Sequence, residues 1–238
     1  MSSDRFDALF ARLSRRRAIG GLGAATAGAT VLSRLGGALG APAAAAPMIG
    51  VAKNGRNAFE FLVQIEQSAF DFEIVGYLTY INGLAPASIF TNGDPLDHDE
   101  THARFTLVSN ATGIARSWHD TVFSMTVTGD LRIFYNKPGG STFNDPGTFS
   151  HGKVIASGSV RLQNVIDATG PQDGIANGWG QISLAKTPLF KIDGKEYQFG
   201  NKGLYYRASF AGSGILTDRD VPNSTITVAG NGVVVREA

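Results

Sequence analysis

The feature that most constrains this chain is an apolar period of two. Phe59, Phe61, Val63 and Ile65 stand at alternate positions, with Glu60, Gln64 and Glu66 between and after them. Successive side chains of a strand point to opposite faces, whereas a helix repeats every 3.6 residues. The alternation therefore predicts a strand with one face on a core. It recurs at Phe105 and Leu107, and at Phe123, Met125 and Val127. It returns at Leu131, Ile133 and Tyr135, and at Val160 and Leu162 around Arg161. Ile182 and Leu184 continue it, then Tyr197 and Phe199, then Tyr205, Arg207 and Ser209. Ile226 and Val228, then Val233 and Val235, complete the series. β-branched and aromatic residues dominate these runs, as a half-buried pleated surface demands. No long stretch after residue 57 has helical spacing.

Turn residues separate the runs. Asn82-Gly83, Asn92-Gly93, Lys137-Pro138-Gly139-Gly140, Asp145-Pro146-Gly147 and Gly230-Asn231-Gly232 all read as turns, and Gly129-Asp130 as a further break. Asp193-Gly194, between Phe190-Lys191-Ile192 and Tyr197-Gln198-Phe199, is the sharpest hairpin signal. Roughly eight to ten short strands at regular spacing predict an all-β fold, a single antiparallel β-barrel, with a β-sandwich as the alternative. Residues 58–238 form that domain and 47–57 a tether to it.

The glycines of Gly174-Ile175-Ala176-Asn177-Gly178-Trp179-Gly180-Gln181-Ile182 allow a tight bend and close strand approach. With Arg132-Ile133-Phe134-Tyr135, this segment resembles the glycine-rich entry to a late strand in allene oxide cyclase and dirigent-like barrels. The resemblance implies a calycin-like barrel of eight strands around an apolar cavity. It carries over no catalytic residue.

Residues 1–46 have a different character. They hold six of the 21 basic residues and two of the 20 acidic ones, so the remainder is mildly acidic at −3. A basic stretch ends in Ser14-Arg15-Arg16-Arg17-Ala18-Ile19, a Gly/Ala-rich weakly apolar stretch follows, and Ala41-Pro42-Ala43-Ala44-Ala45-Ala46 supplies small residues for cleavage. The paired arginines, Arg15 and Arg16 followed by Arg17, resemble the twin-arginine (Tat) export signal of bacteria. Ser14 and Ile19 match that pattern; Ala18 and Gly20 depart from it. The resemblance implies passage through the Tat translocase in folded form, cleavage after Ala43 or Ala45, and a secreted, periplasmic or cell-envelope location. Arg34 and the many glycines argue against a spanning helix, so no stable membrane anchor is expected after cleavage. With no Cys, disulfides and thiol chemistry are excluded. The near-neutral balance argues against nucleic-acid binding by bulk charge.

Few clusters suggest chemistry. Asp97, His98, Asp99 and His102, in an acidic segment from Asp94 to His102, offer the oxygen and imidazole donors that divalent metals take. Their spacing matches neither an EF-hand loop nor a His-Glu-x-x-His helix, and a solvated loop between two strands is the simpler account of them. Ser117 and His119 share one face of a strand while Trp118 and Asp120 share the other, but no nucleophile elbow accompanies them. Arg132, Arg161 and Arg207 lie within strands; outward placement avoids a buried lone charge. No motif calls for a cofactor.

Three functions compete. The first is an exported barrel binding a small apolar or amphipathic molecule in its lumen, with Arg207, Tyr205, Arg132, Trp118 and Trp179 as ligand-binding residues and loops 91–103 and 136–152 at the mouth. The second is a cofactor-free barrel isomerase or cyclase, or a metal-dependent enzyme. The third is an envelope module, structural or adhesive, that acts through its surface; it is favoured if the interior has no sizeable cavity.

Overall fold

Twelve-residue β2 sets the pattern for the wall. It runs Asn57–Ser68, and Phe59, Phe61, Val63 and Ile65 are buried on its inner face while Glu60 faces water. The computed structural model describes residues 48–49, 52–168, 173–218 and 223–236. The segment expected to be an export signal, with Arg15, Arg16 and Arg17, lies outside the described residues.

Around β2 the strands are β1 (Met48–Ile49), β3 (Asp71–Ile81), β4 (Phe105–His119), β5 (Val122–Tyr135), β6 (Lys153–Asp167), β7 (Gly174–Lys186), β8 (Phe190–Ile192), β9 (Lys195–Gln198), β10 (Tyr205–Asp218) and β11 (Asn223–Arg236). Among the described residues a short α-helix, α1 (Pro86–Ile89), and a 3-10 turn at Pro95–Asp97 lie between β3 and β4. Eight strands close a barrel in the order β10-β11-β2-β3-β4-β5-β6-β7, every pair antiparallel. Consecutive barrel strands are neighbours, so this is an up-and-down meander, with the β8–β9 hairpin set between β7 and β10. Closure leaves no long sheet edge exposed, the chief hazard of all-β folds.

The register gives every inner residue a partner of the same facing. Val63 pairs with Gly76 and Val228, and Val228 with Gly212. Many outward positions are polar, among them Glu60, Gln64, Glu73, Arg161, Gln181 and Arg207. A membrane barrel requires the reverse, an apolar outer band. Among the described residues no helix is long and apolar enough to cross a membrane.

A small sheet, β1-β9-β8, covers one end of the barrel. Its Phe190 ring lies 6.1 Å from Phe105 and 5.5 Å from Tyr135, both lumen-facing. Phe199 and Tyr206 pack on Phe59 at 5.7 and 5.1 Å. Each such burial is worth about 1.5–3 kcal/mol, so the plug adds substantially to the core. Asp193 (φ 48°) and Gly194 (φ 81°) form the tight turn between β8 and β9, as the sequence predicts.

The loops expected at a mouth lie elsewhere. Tyr77, Thr106 and Phe134 point outward, and Phe90 and Phe143 each approach the Tyr77 ring to 6.4 Å. The Thr106 hydroxyl donates to the Phe149 carbonyl at 2.6 Å, and Phe149 is fully buried. Segments 91–103 and 136–152 therefore form a second apolar layer on the outside of β3–β5. The Gly140 N–H, donating to the Thr101 carbonyl at 2.7 Å, ties the two together.

Two expected turns are strand interior. Gly129-Asp130 lies within unbroken β5, where a side chain at Gly129 would collide with the β4 backbone at Asn110 and Ala111. Gly230-Asn231-Gly232 lies within β11, where the two glycines make room for the Phe61, Phe210 and Phe59 rings. The alternation that turns Ile226, Val228, Gly230 and Gly232 inward continues through β11 to Val234, which pairs with the inward Tyr206, so Val234 is buried rather than Val233 and Val235.

Candidate functional site

Strand parity decides what lines the lumen. The interior keeps a cavity of about 60 Å³, bordered by Phe61, Leu107, Ile133, Val160 and Phe210 among others. An apolar cavity that takes benzene measures about 150 Å³, so this interior is nearly filled by comparison. Its one polar lining residue is Ser109, 2% exposed, whose Oγ has no hydrogen-bond partner. The lining holds no acid–base pair. Deeper toward the hairpin end, the Ser224 hydroxyl donates to Gln67 Oε1 at 3.0 Å, and Gln67 Nε2 donates to the Ala69 carbonyl at 2.8 Å.

None of the five expected ligand residues borders this cavity. Arg207, Tyr205 and Trp179 alternate with the inward residues Tyr206, Ala208, Gly178 and Gly180, so they face outward. Arg132 is likewise outward, with its Nε 3.4 Å from Asp130 Oδ2. Trp118 pairs with Phe123 near the tip of the β4–β5 hairpin and is 69% exposed. The Arg116 guanidinium lies 5.6 Å from the Trp118 ring centroid and 5.5 Å from that of Phe123.

The outer wall of β6, β7 and β10 brings two of the five together. Arg207 pairs with Gln181, and Gln181 with Arg161, in one row across three strands. Ser209, Trp179 and Gln163 form the adjacent row. Between the side chains runs a trough of about 420 Å³, bordered by Arg161, Gln163, Trp179, Gln181 and Arg207 over a floor that includes Gly180. Trp179 is 42% exposed there. Among the described residues the ion pairs are His102–Asp99 and Arg132–Asp130, and neither Arg161 nor Arg207 takes part in one. The trough thus presents an aromatic face, two amides and two cations to solvent. Sequence reasoning placed Arg161 on a strand but did not join it to Trp179, Gln163 and Gln181, because only the β6–β7–β10 register makes them neighbours.

The acidic loop does not assemble the expected metal set. Asp99 Oδ1 accepts from the Thr101 hydroxyl at 2.6 Å, from the Thr101 N–H at 2.9 Å, and lies 2.9 Å from His102 Nδ1. The Thr101 hydroxyl, chiefly, and the backbone N–H groups hold the Asp99 carboxyl below its ordinary range. His98 instead stacks on Phe90, centroids 3.9 Å apart and 9° from parallel. Asn92 Nδ2 donates to the Asp97 carbonyl at 2.7 Å. Asp99 and His102 are therefore tied to one another, His98 stacks on Phe90, and Asp97 meets Asn92 through its backbone carbonyl and, at 3.4 Å, through Oδ2. Among the described residues no three His, Asp or Glu side chains converge on a metal position. Ser117 and His119 share the outer face of β4, and Asp120 sits in the following turn at φ 53°.

No protein-family model, no curated protein and no solved structure matches this chain. The fold and the site define it as a closed up-and-down β-barrel with a filled interior and a polar–aromatic trough on its wall.

Proposed function

We propose that this protein is an exported binding module that engages its target through the outer wall of β6, β7 and β10. One observation carries this function: the interior retains about 60 Å³, whereas the wall carries a trough of about 420 Å³ lined by Trp179, Arg161 and Arg207. Ligand sites combine apolar contact area with a few placed polar groups. Trp179 supplies the former, and the two arginines and two glutamines supply the latter. Export by the Tat route, through Arg15 and Arg16, would bring such a module to the cell envelope or beyond.

A sedimentation assay tests this. Purified mature protein is mixed with a cell-envelope fraction from the organism that makes it. The unaltered protein is expected in the pellet, and the triple variant W179A/R161Q/R207Q in the supernatant. Equal sedimentation of the two would refute the proposal.

Ser109 favours one further function, a very small apolar guest with a single hydrogen-bonding atom held in the lumen. Native mass spectrometry of protein purified from its host tests it: an adduct lost in Ser109→Ala supports it, and the bare polypeptide mass counts against it.

A further inference from the structure

We infer that the ligand of the wall trough is an acidic polysaccharide whose negative charges recur at about the length of a disaccharide. This inference rests on the wall-binding function proposed above and adds the chemistry of its target.

The charge complementarity comes first. Arg161 and Arg207 lie on an otherwise mildly acidic chain, and among the described residues neither meets a carboxylate. Two unpaired guanidiniums beside one another's strands repel weakly, and an anion between or beneath them relieves this. Guanidinium recognises carboxylate and sulfate oxygens with two parallel hydrogen bonds.

The spacing comes second. Arg207 and Arg161 stand in one register row with Gln181 between them. Two inter-strand steps separate them by about 9–10 Å at the backbone. That distance suits two charges carried by alternate sugars, and exceeds the separation of oxygens within a single phosphate or carboxylate.

The surface between the charges comes third. Trp179 lies on the middle strand, in the adjacent row, and is flanked by Gln163. An indole face receives the C–H face of a sugar ring, because it is flat, apolar and rigid. The amides of Gln163 and Gln181 each offer donors and an acceptor to neighbouring hydroxyls. Gly180 in the floor keeps the trough open to a flat ring.

Affinity electrophoresis of the mature protein provides the test. The gels contain hyaluronan, an alternating uronate polysaccharide, or dextran, a neutral one, and a single-stranded DNA oligonucleotide is run as competitor. Retardation by hyaluronan, absence of retardation by dextran, and loss of retardation with rising salt are expected. Each of R161Q and R207Q should weaken binding about tenfold, the scale of a charged hydrogen bond. W179A should weaken it as well, with the salt dependence retained. The exposed positions leave folding intact, which the unchanged far-ultraviolet spectrum and melting temperature verify. Equal retardation by dextran, or DNA displacing hyaluronan at lower concentration, overturns the acidic-saccharide assignment. No retardation by hyaluronan while W179A/R161Q/R207Q still abolishes envelope sedimentation overturns the ligand class but leaves the wall function standing. No effect of that variant in either assay overturns both.

Discussion

Replacing Ser109 by alanine should make the protein more stable. Ser109 sits on the inner face of β4, in register with Ile74, and is 2% exposed with an unpartnered Oγ. A buried hydroxyl without a partner costs about 1–3 kcal/mol. Alanine removes that cost and loses only the packing of one oxygen, under ~1 kcal/mol by comparison with single-methylene deletions. The net gain is about 1–2 kcal/mol. For a domain of this size each kcal/mol moves the melting temperature by about 2–4 °C, so a rise of about 2–8 °C follows. Scanning calorimetry measures it, and urea unfolding with an unchanged m-value shows that the gain lies in the folded state. A fall in melting temperature would refute the reasoning. It would mean that the hydroxyl has a partner inside the barrel, a water or a guest.

Three further outcomes follow from the packing and the titrating groups. A side chain at Gly178 would collide with the Phe210 ring, so Gly178→Ala should destabilise by about 1–3 kcal/mol, and Phe210→Ala should cost about 3–5 kcal/mol. In the double variant the two losses should sum to less than their total, and strict additivity in a urea double-mutant cycle would contradict the contact. Burial raises the Tyr206 phenol well above its ordinary pKa of 10.0. Its contribution to stability is complete below pH 10 and is lost as pH rises toward the raised value; spectrophotometric titration should show one tyrosine fewer ionising before alkaline unfolding in the wild type than in Tyr206→Phe plus its missing phenol, and a full normal titration of Tyr206 would contradict its burial. The Asp99 carboxyl, held below 3.8 chiefly by the Thr101 hydroxyl, gives stability that is present above that value and lost as pH falls through the lowered pKa. A carbon-detected titration should place Asp99 below 3.8, and Thr101→Val should move it upward; a value unmoved by Thr101→Val would contradict the assigned cause.

The strands were legible because a pleat needs only the period of two, and that period survives in Phe59 to Ile65 and in Phe123 to Val127 without any knowledge of neighbours; the same period suits a sandwich, and the β7–β10 pairing that closes the barrel leaves no mark in it. Glycine was harder to interpret. Gly129, Gly230 and Gly232 have the composition of turns, yet they sit where a neighbouring strand or a Phe59 or Phe210 ring leaves no room for a side chain. That constraint comes from residues 18 or more positions away. Val234 was readable in principle, since it continues the alternation of Ile226 and Val228 once Gly230-Asn231-Gly232 is strand and not a turn. The direction of Arg207 and Trp179 follows from the same alternation that buries Tyr206 and Ala208, so their absence from the lumen was readable. Their adjacency to Arg161, Gln163 and Gln181 was not, because it depends on how β6, β7 and β10 align. In the acidic loop, residue type pointed to metal, but Asp99 is tied to Thr101 and His102 while His98 stacks on Phe90, and among the described residues no three donors converge.

Nuclear magnetic resonance of the isotope-labelled mature protein, titrated with solubilised envelope polysaccharide, tests most directly where this barrel makes its contact. Shifts confined to the Trp179 indole and to the amides of Arg161, Gln163, Gln181 and Arg207, with the methyls of Ile133, Val160 and Ile182 unmoved, are the predicted result. Shifts of those lumen methyls with a silent Trp179 would show that the target enters the barrel, and would contradict a protein that works through its wall.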